Sequence, residues 1–388
     1  MALTGAESRI ATYLFWQLLV VMRVKPTVPP KRLCVFCGSP PVNKTREHVL
    51  PQWLLRMTGD PNRVVTFGIN FEKQTELEFS WSSFVMPSCA ACNERFSQLE
   101  ADVKPIVESL IDRSAIEAAA YLTLLDWLDK VRIGLWLAYH TLQANPTGIQ
   151  PAFHISSRIG TKDRLVAVHP LETENRGLNA FGVESFVFQR TPSCFALRVN
   201  NLLLINASSD FLFAARVGFP FPRVREQLID GPNAGMLYLQ DFACTRRIKR
   251  PLLRMKLHKP SVLLFQPIMQ RSLDPSMGKE FVGNFAIFDS FLAEHTLPPY
   301  LSGRGILFRE YPDRIECVKD MEQEIVFDSI TGHECQTSYA LVAQVYELQN
   351  YIDRLSEPRA TNSTRLTRHR ERVKLFRNWN TRVSKVGS

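Results

Sequence analysis

Two Cys-x-x-Cys pairs, Cys34-Val35-Phe36-Cys37 and Cys89-Ala90-Ala91-Cys92, stand 51 residues apart and constrain this chain more than any other feature it carries. Four soft thiolates in two close pairs are the donor set of a closed tetrahedral zinc site, so the polypeptide must leave the first pair and return to the second. An interval of 51 residues exceeds that of a simple zinc ribbon, and the excess must hold structure of its own. Gly38-Ser39-Pro40-Pro41 supplies the turn that follows the first pair. The other cysteines, Cys194, Cys244, Cys317 and Cys335, lie far apart without metal-like spacing, which fits a reducing, cytoplasmic setting.

Inside the interval, Thr45-Arg46-Glu47-His48-Val49-Leu50-Pro51 comes first. Pro51 biases Leu50 toward an extended backbone, and consecutive side chains of an extended segment point to opposite sides, so Glu47 and His48 are placed for different tasks. Gln52 to Met57 reads as a helical turn stopped by Gly59-Asp60-Pro61-Asn62. Arg63 to Phe71 and Glu76 to Val85 are rich in β-branched and aromatic residues and read as a hairpin. From Asn93 the period is helical, with Phe96, Leu99, Val103 and Val107 on one face and Pro105 expected to bend it. Ala115 to Gln143 reads as an apolar core helix.

The stretch from Arg32 to about Asp102 resembles the HNH nuclease family, the ββα-metal fold carried on a treble-clef zinc frame. The likeness rests on Cys34-x-x-Cys37, on Glu47-His48-Val49-Leu50-Pro51 and on Cys89-x-x-Cys92-Asn93, and spans about seventy residues. It implies hydrolysis of a phosphodiester bond with one divalent metal, Mg²⁺ or Mn²⁺. Glu47 and Asn93 would be its ligands, His48 the general base, and the four cysteines the holders of a structural Zn²⁺. The chain departs from the family pattern in two places. Trp81-Ser82-Ser83-Phe84-Val85 lacks the asparagine common before the second pair, with Ser83 as its only stand-in. Phe96 and Ser97 stand where many relatives carry a second histidine or asparagine, and Ser97 and Glu100 share a helix face with Asn93.

The chemistry of these residue types leads the same way without the name. A hard divalent cation takes oxygen ligands, few of them from protein, and Glu47 offers a carboxylate and Asn93 an amide carbonyl. Imidazole changes charge near neutral pH and suits proton transfer from water. Asn93 follows the last cysteine at a helix start, where backbone N–H groups favour phosphate. The competing reading is a catalytically inactive zinc module that binds nucleic acid or protein. In that reading Glu47 pairs with Arg46 or Arg56, His48 fills a polar pocket, and Glu100 is an ion-pair partner.

Charge points to a polyanion. The formal net charge is +9, yet Pro358 to Ser388 holds nine Lys or Arg against Glu371 alone, so the rest of the chain carries only +1. Arg368, Arg370, Arg372, Lys374, Arg377 and Trp379 in this tail are candidate nucleic-acid contacts, because arginines pair phosphates and aromatic rings stack on bases. DNA is the favoured partner. No membrane partner is expected, since Ile10 to Met22 is too short to span a bilayer. This apolar run reads as a short buried helix or as an extension upstream of Met22.

Between Thr147 and Pro260 the texture is β, with short segments at Arg164–His169, Ser185–Phe188, Phe195–Val199, Leu202–Asn206, Phe211–Val217 and Met236–Leu239 and a turn at Asn200-Asn201. Thr337 to Ser356 reads as an amphipathic helix. The expected class is α+β: a zinc-stapled ββα nuclease domain, helices, and a mostly β second domain. The divisions are an extension and linker at 1–30, a nuclease domain at 31–145, an accessory domain at 146–357 and a basic tail at 358–388.

Overall fold

A computed structural model describes residues 33–70, 75–142, 154–156, 158–160, 163–172, 175–183, 193–209, 212–217, 221–227, 237–243, 260–266, 307–328 and 338–355, with eight positions between 367 and 381. The N-terminal extension and the expected strand at Ser185–Phe188 lie outside these residues.

Strand β1 (Thr45–His48) leads into helix α1 (Gln52–Met57) and then the hairpin β2 (Val64–Asn70) and β3 (Thr75–Ser80). The hairpin ends earlier than its β-branched texture suggests. A 3₁₀ turn at Trp81–Ser83 redirects the chain, with Ser80 Oγ accepting from the Ser82 N–H. Strand β4 (Val85–Ser88) therefore leaves the hairpin and pairs antiparallel with β1, setting Glu47 opposite Met86 and His48 opposite Val85. Helix α2 (Ala90–Ile111) follows at once, a single helix with Pro105 inside it. A long interval thus separates two strands that become neighbours, and a helix starts at the second cysteine pair directly after the second of them.

Strand β5 (Ile116–Glu117) precedes helix α3 (Ala118–Leu142), every residue of which from Tyr121 to His140 is buried. A helix apolar all round must be enclosed on all sides. One side of α3 meets β1 and α1, where the rings of Trp53 and Trp127 lie 6.2 Å apart. The other side covers a seven-stranded sheet.

That sheet is formed by β6 (Arg164–Pro170), β7 (Leu178–Phe181), β8 (Ser193–Val199), β9 (Leu202–Ser208), the hairpin-separated β12 (Val262–Gln266), β13 (Phe308–Glu310) and β14 (Ile315–Cys317). Strands β10 (Phe221–Gln227) and β11 (Leu237–Ala243) form a separate two-stranded antiparallel sheet. The order β14-β13-β12-β6-β9-β8-β7 is antiparallel throughout. Asn200 at φ +53° closes the β8–β9 turn, a left-handed conformation that asparagine tolerates. Alternate residues divide between two cores. Val166, Val168, Leu197 and Leu204 face the core shared with α3 and the cysteine frame. Leu165, Ala167, Ala196 and Ile205 face the opposite core, under α4 (Leu212–Val217) and α5 (Ser338–Leu355). Burial on both faces explains why these strands read as nearly continuous apolar runs.

The segment Phe211–Val217, expected as a strand, is helical from Leu212. The Ser209 hydroxyl accepts from the N–H of Leu212 at 3.0 Å, and Asp163 Oδ2 accepts from Ala214 at 2.7 Å. These caps satisfy first-turn donors and outweigh the β-branched and aromatic texture. A last strand, β15 (Glu324–Ile325), returns to pair with β5, so chain from beyond the sheet closes against the start of α3.

Candidate metal and catalytic site

The four cysteines expected to share a metal come together: Sγ of Cys34, Cys37, Cys89 and Cys92 all lie within 4.8 Å of one another. Sulfurs around tetrahedral zinc at about 2.3 Å stand about 3.8 Å apart, and Cys37 and Cys89 are 3.9 Å apart. The donor set fits structural zinc. Local backbone prepares it. Gly38 at φ +73° lets its N–H reach back to the Cys34 carbonyl at 2.9 Å. The N–H of Cys89 donates to Cys34 Sγ at 3.3 Å and that of Val42 to Cys89 Sγ at 3.4 Å. Such bonds steady sulfurs carrying negative charge.

Thiols packed this closely cannot all ionise unless a cation compensates them. Burial, together with the Cys34 and Cys37 charges, pushes the Cys92 thiol up to about 12. Burial also raises Cys34. Cys37 goes down despite its burial, because the Ser39 backbone and the neighbouring thiols hydrogen-bond to it.

Glu47 is 5% exposed and lies against Lys130 of α3, its Oε1 2.6 Å from the ammonium. Lys130 also bonds to Glu100 of α2 and sits 5.9 Å from the centre of the Phe36 ring, between the first two cysteines. Phe36 in turn stacks on Phe96 with ring centroids 4.0 Å apart. Burial alone would lower the Lys130 pKa, yet the charges of Glu47 and Glu100 outweigh it and raise the value. Glu100 is raised, because its burial and the charge of Glu47 exceed the effect of Lys130. Neither Arg46 nor Arg56 supplies Glu47's counter-ion; the partner comes from the buried helix.

His48, next on β1, belongs to the opposite side of the strand, and its Nδ1 is buried with no hydrogen-bond partner. Asn93 sits in the first turn of α2, where its N–H donates to the Cys89 carbonyl and its Oδ1 is buried without a partner. Ser83 donates to the Ser80 carbonyl at 2.6 Å and is absorbed by the local turn. Ser97 is exposed.

Of the tail residues, Arg370 and Lys374 are exposed on helical backbone and Arg377 is partly buried, while Arg368, Arg372 and Trp379 lie outside the described residues. Asn380 is fully buried and donates to Asn350 of α5 at 2.9 Å. Among the described residues no helix is long and apolar enough to cross a membrane.

Lys130 is the site residue that motif reading missed. Its signal was present as charge inside the apolar run, where Asp126, Asp129, Lys130 and Arg132 interrupt a helix with no polar face. Charges so placed require counter-ions on other elements. Three of them find partners at the sheet. Arg164 of β6 lies 2.7 Å from both Asp126 and Asp129, and Arg132 bonds Asn206 of β9 at 2.8 Å. Comparison with family models, curated proteins and solved structures finds no match for this chain.

Proposed function

We propose that this chain is a metal-dependent HNH-type endonuclease that hydrolyses phosphodiester bonds in nucleic acid, with DNA as the favoured substrate. The observation that carries the reading is a pair of buried polar atoms without partners beside the cysteine frame, His48 Nδ1 and Asn93 Oδ1. Leaving such a group unsatisfied costs about 1–3 kcal/mol, which a bound cation, substrate or water at this place would recover. The oxygen donors of Glu47 and Asn93 suit a hard cation such as Mg²⁺ or Mn²⁺. When bound, that cation supplies charge stabilisation at the phosphate and the leaving oxygen. His48 takes the proton of the attacking water, the cysteine frame fixes β1 against α2, and the exposed Arg370 and Lys374 offer cations to phosphate.

Plasmid nicking with Mg²⁺ or Mn²⁺ tests this directly. His48→Ala should lower the rate at least about a hundredfold, in line with the usual contribution of a general base, while zinc content and thermal midpoint stay at parental values. Unchanged nicking by the variant would remove His48 from the mechanism.

One observation favours a second reading, a zinc-containing module that binds nucleic acid or protein without cutting it: the Glu47 carboxylate already has a cation in Lys130. That reading expects no cleavage with any divalent metal and retention of DNA that weakens steeply with salt.

A further inference from the structure

Lys130 makes three contacts, and each belongs to a different piece of the proposed site: the Phe36 ring in the first cysteine loop, Glu47 on β1 and Glu100 on α2. A fully buried ammonium requires compensation, but one carboxylate suffices for charge balance. With both carboxylates ionised, one exceeds what the ammonium balances, and a divalent cation would complement it.

The helix is brought close for this contact. Gly134 lies one turn beyond Lys130 on the same side of α3, and a methyl group added there would stand 2.8 Å from Cγ1 of Val49. Val49 directly follows His48, so the missing side chain at 134 lets α3 approach the end of β1 and carry the ammonium to Glu47.

We propose that Lys130 is a positioning residue of the site, holding the Glu47 carboxylate in one orientation toward the divalent cation while Glu100 anchors the ammonium to α2. This rests on the nuclease reading above. Carboxylates that bind metal are themselves held by hydrogen-bonded partners, and loss of such a partner weakens metal binding roughly 10–100-fold.

The test uses full-length, zinc-loaded protein and Mn²⁺, with binding read by electron paramagnetic resonance and nicking followed as a function of Mn²⁺ concentration. Lys130→Met combined with Glu100→Gln removes the hold on Glu47 while keeping the net charge of the group. This variant should keep its zinc, bind Mn²⁺ at least about tenfold more weakly, and need correspondingly more Mn²⁺ for half-maximal nicking. Should it fail to fold, Lys130→Arg decides the matter. It keeps the charge but replaces a compact donor by a planar fork, and a Mn²⁺ shift in the same direction is expected. Parental Mn²⁺ affinity in the folded variant would make Lys130 a packing residue and overturn the proposal. A parent that binds no Mn²⁺ and nicks nothing would instead overturn the nuclease reading, and the proposal with it.

Discussion

The Lys130 ammonium lies 2.6 Å from Oε1 of Glu47, and both groups are almost wholly removed from solvent. Opening such a pair from one side strands a charge. Lys130→Met should therefore cost about 3–5 kcal/mol, seen as a lower urea midpoint with little change in slope. Glu47→Gln and Glu100→Gln introduced with it should return most of that loss. Full stability in the single variant would show that the carboxylates do not depend on the ammonium.

The cysteine cluster predicts one zinc per chain, measurable by mass spectrometry of the purified protein. Cys34→Ser or a strong chelator should abolish the metal and unfold the β1–β4–α2 frame, because binding of a structural zinc and folding are one process, with apparent binding energies of about 10–16 kcal/mol in small zinc peptides. Near-parental circular dichroism and thermal midpoint after zinc loss would contradict a structural role.

Gly134→Ala places a methyl 2.8 Å from Val49, closer than packed carbons tolerate. Overpacking of this kind costs about 1–3 kcal/mol, and Val49→Ala in the same chain should recover part of it. Strict additivity of the two substitutions would show that the groups do not meet.

Asp129 answers two arginines at once, Arg132 at 2.6 Å and Arg164 at 2.7 Å, and also accepts from the Gly160 N–H at 3.2 Å. Asp129→Ala should cost about 3–5 kcal/mol by leaving both guanidiniums short of an anion. Denaturant unfolding is the measurement, and a loss below about 1 kcal/mol would place this network among weak surface-like pairs.

Glu100 holds its proton to higher pH in the fold than in the open chain, because burial outweighs the Lys130 ammonium. Its contribution to stability is complete below the open-chain value of about 4.3 and declines as pH rises through the raised folded value. Relative to the parent, Glu100→Gln should gain stability across that interval. Urea midpoints at successive pH values read the difference, and parallel profiles would mean that Glu100 titrates alike in both states.

Much of the local architecture was legible because it follows from short-range rules. Helical spacing around Phe96 and Val103, the Asn200-Asn201 turn and the apolar run beyond Ala115 all appear in the structure. The exceptions have identifiable causes. Leu212–Val217 is helical because Asp163, far away in the chain, caps it, and Val85 joins β1 because the turn at Trp81–Ser83 carries it away from the hairpin. Glu47 illustrates the same limit at the site, since its counter-ion lies on a helix that motif reading assigned to packing alone.

By itself the sequence determined which donors stand close along the chain: two cysteine pairs, an acid beside an imidazole, and an amide at the head of a helix. Spacing and residue chemistry suffice for that. Which charges neutralise one another was decided only by tertiary packing, because a buried ion must find its partner wherever the fold brings one near. Here α3, enclosed between the cysteine frame and the sheet, delivers Lys130 to Glu47 and Glu100 on one side and Asp126, Asp129 and Arg132 to the strands on the other.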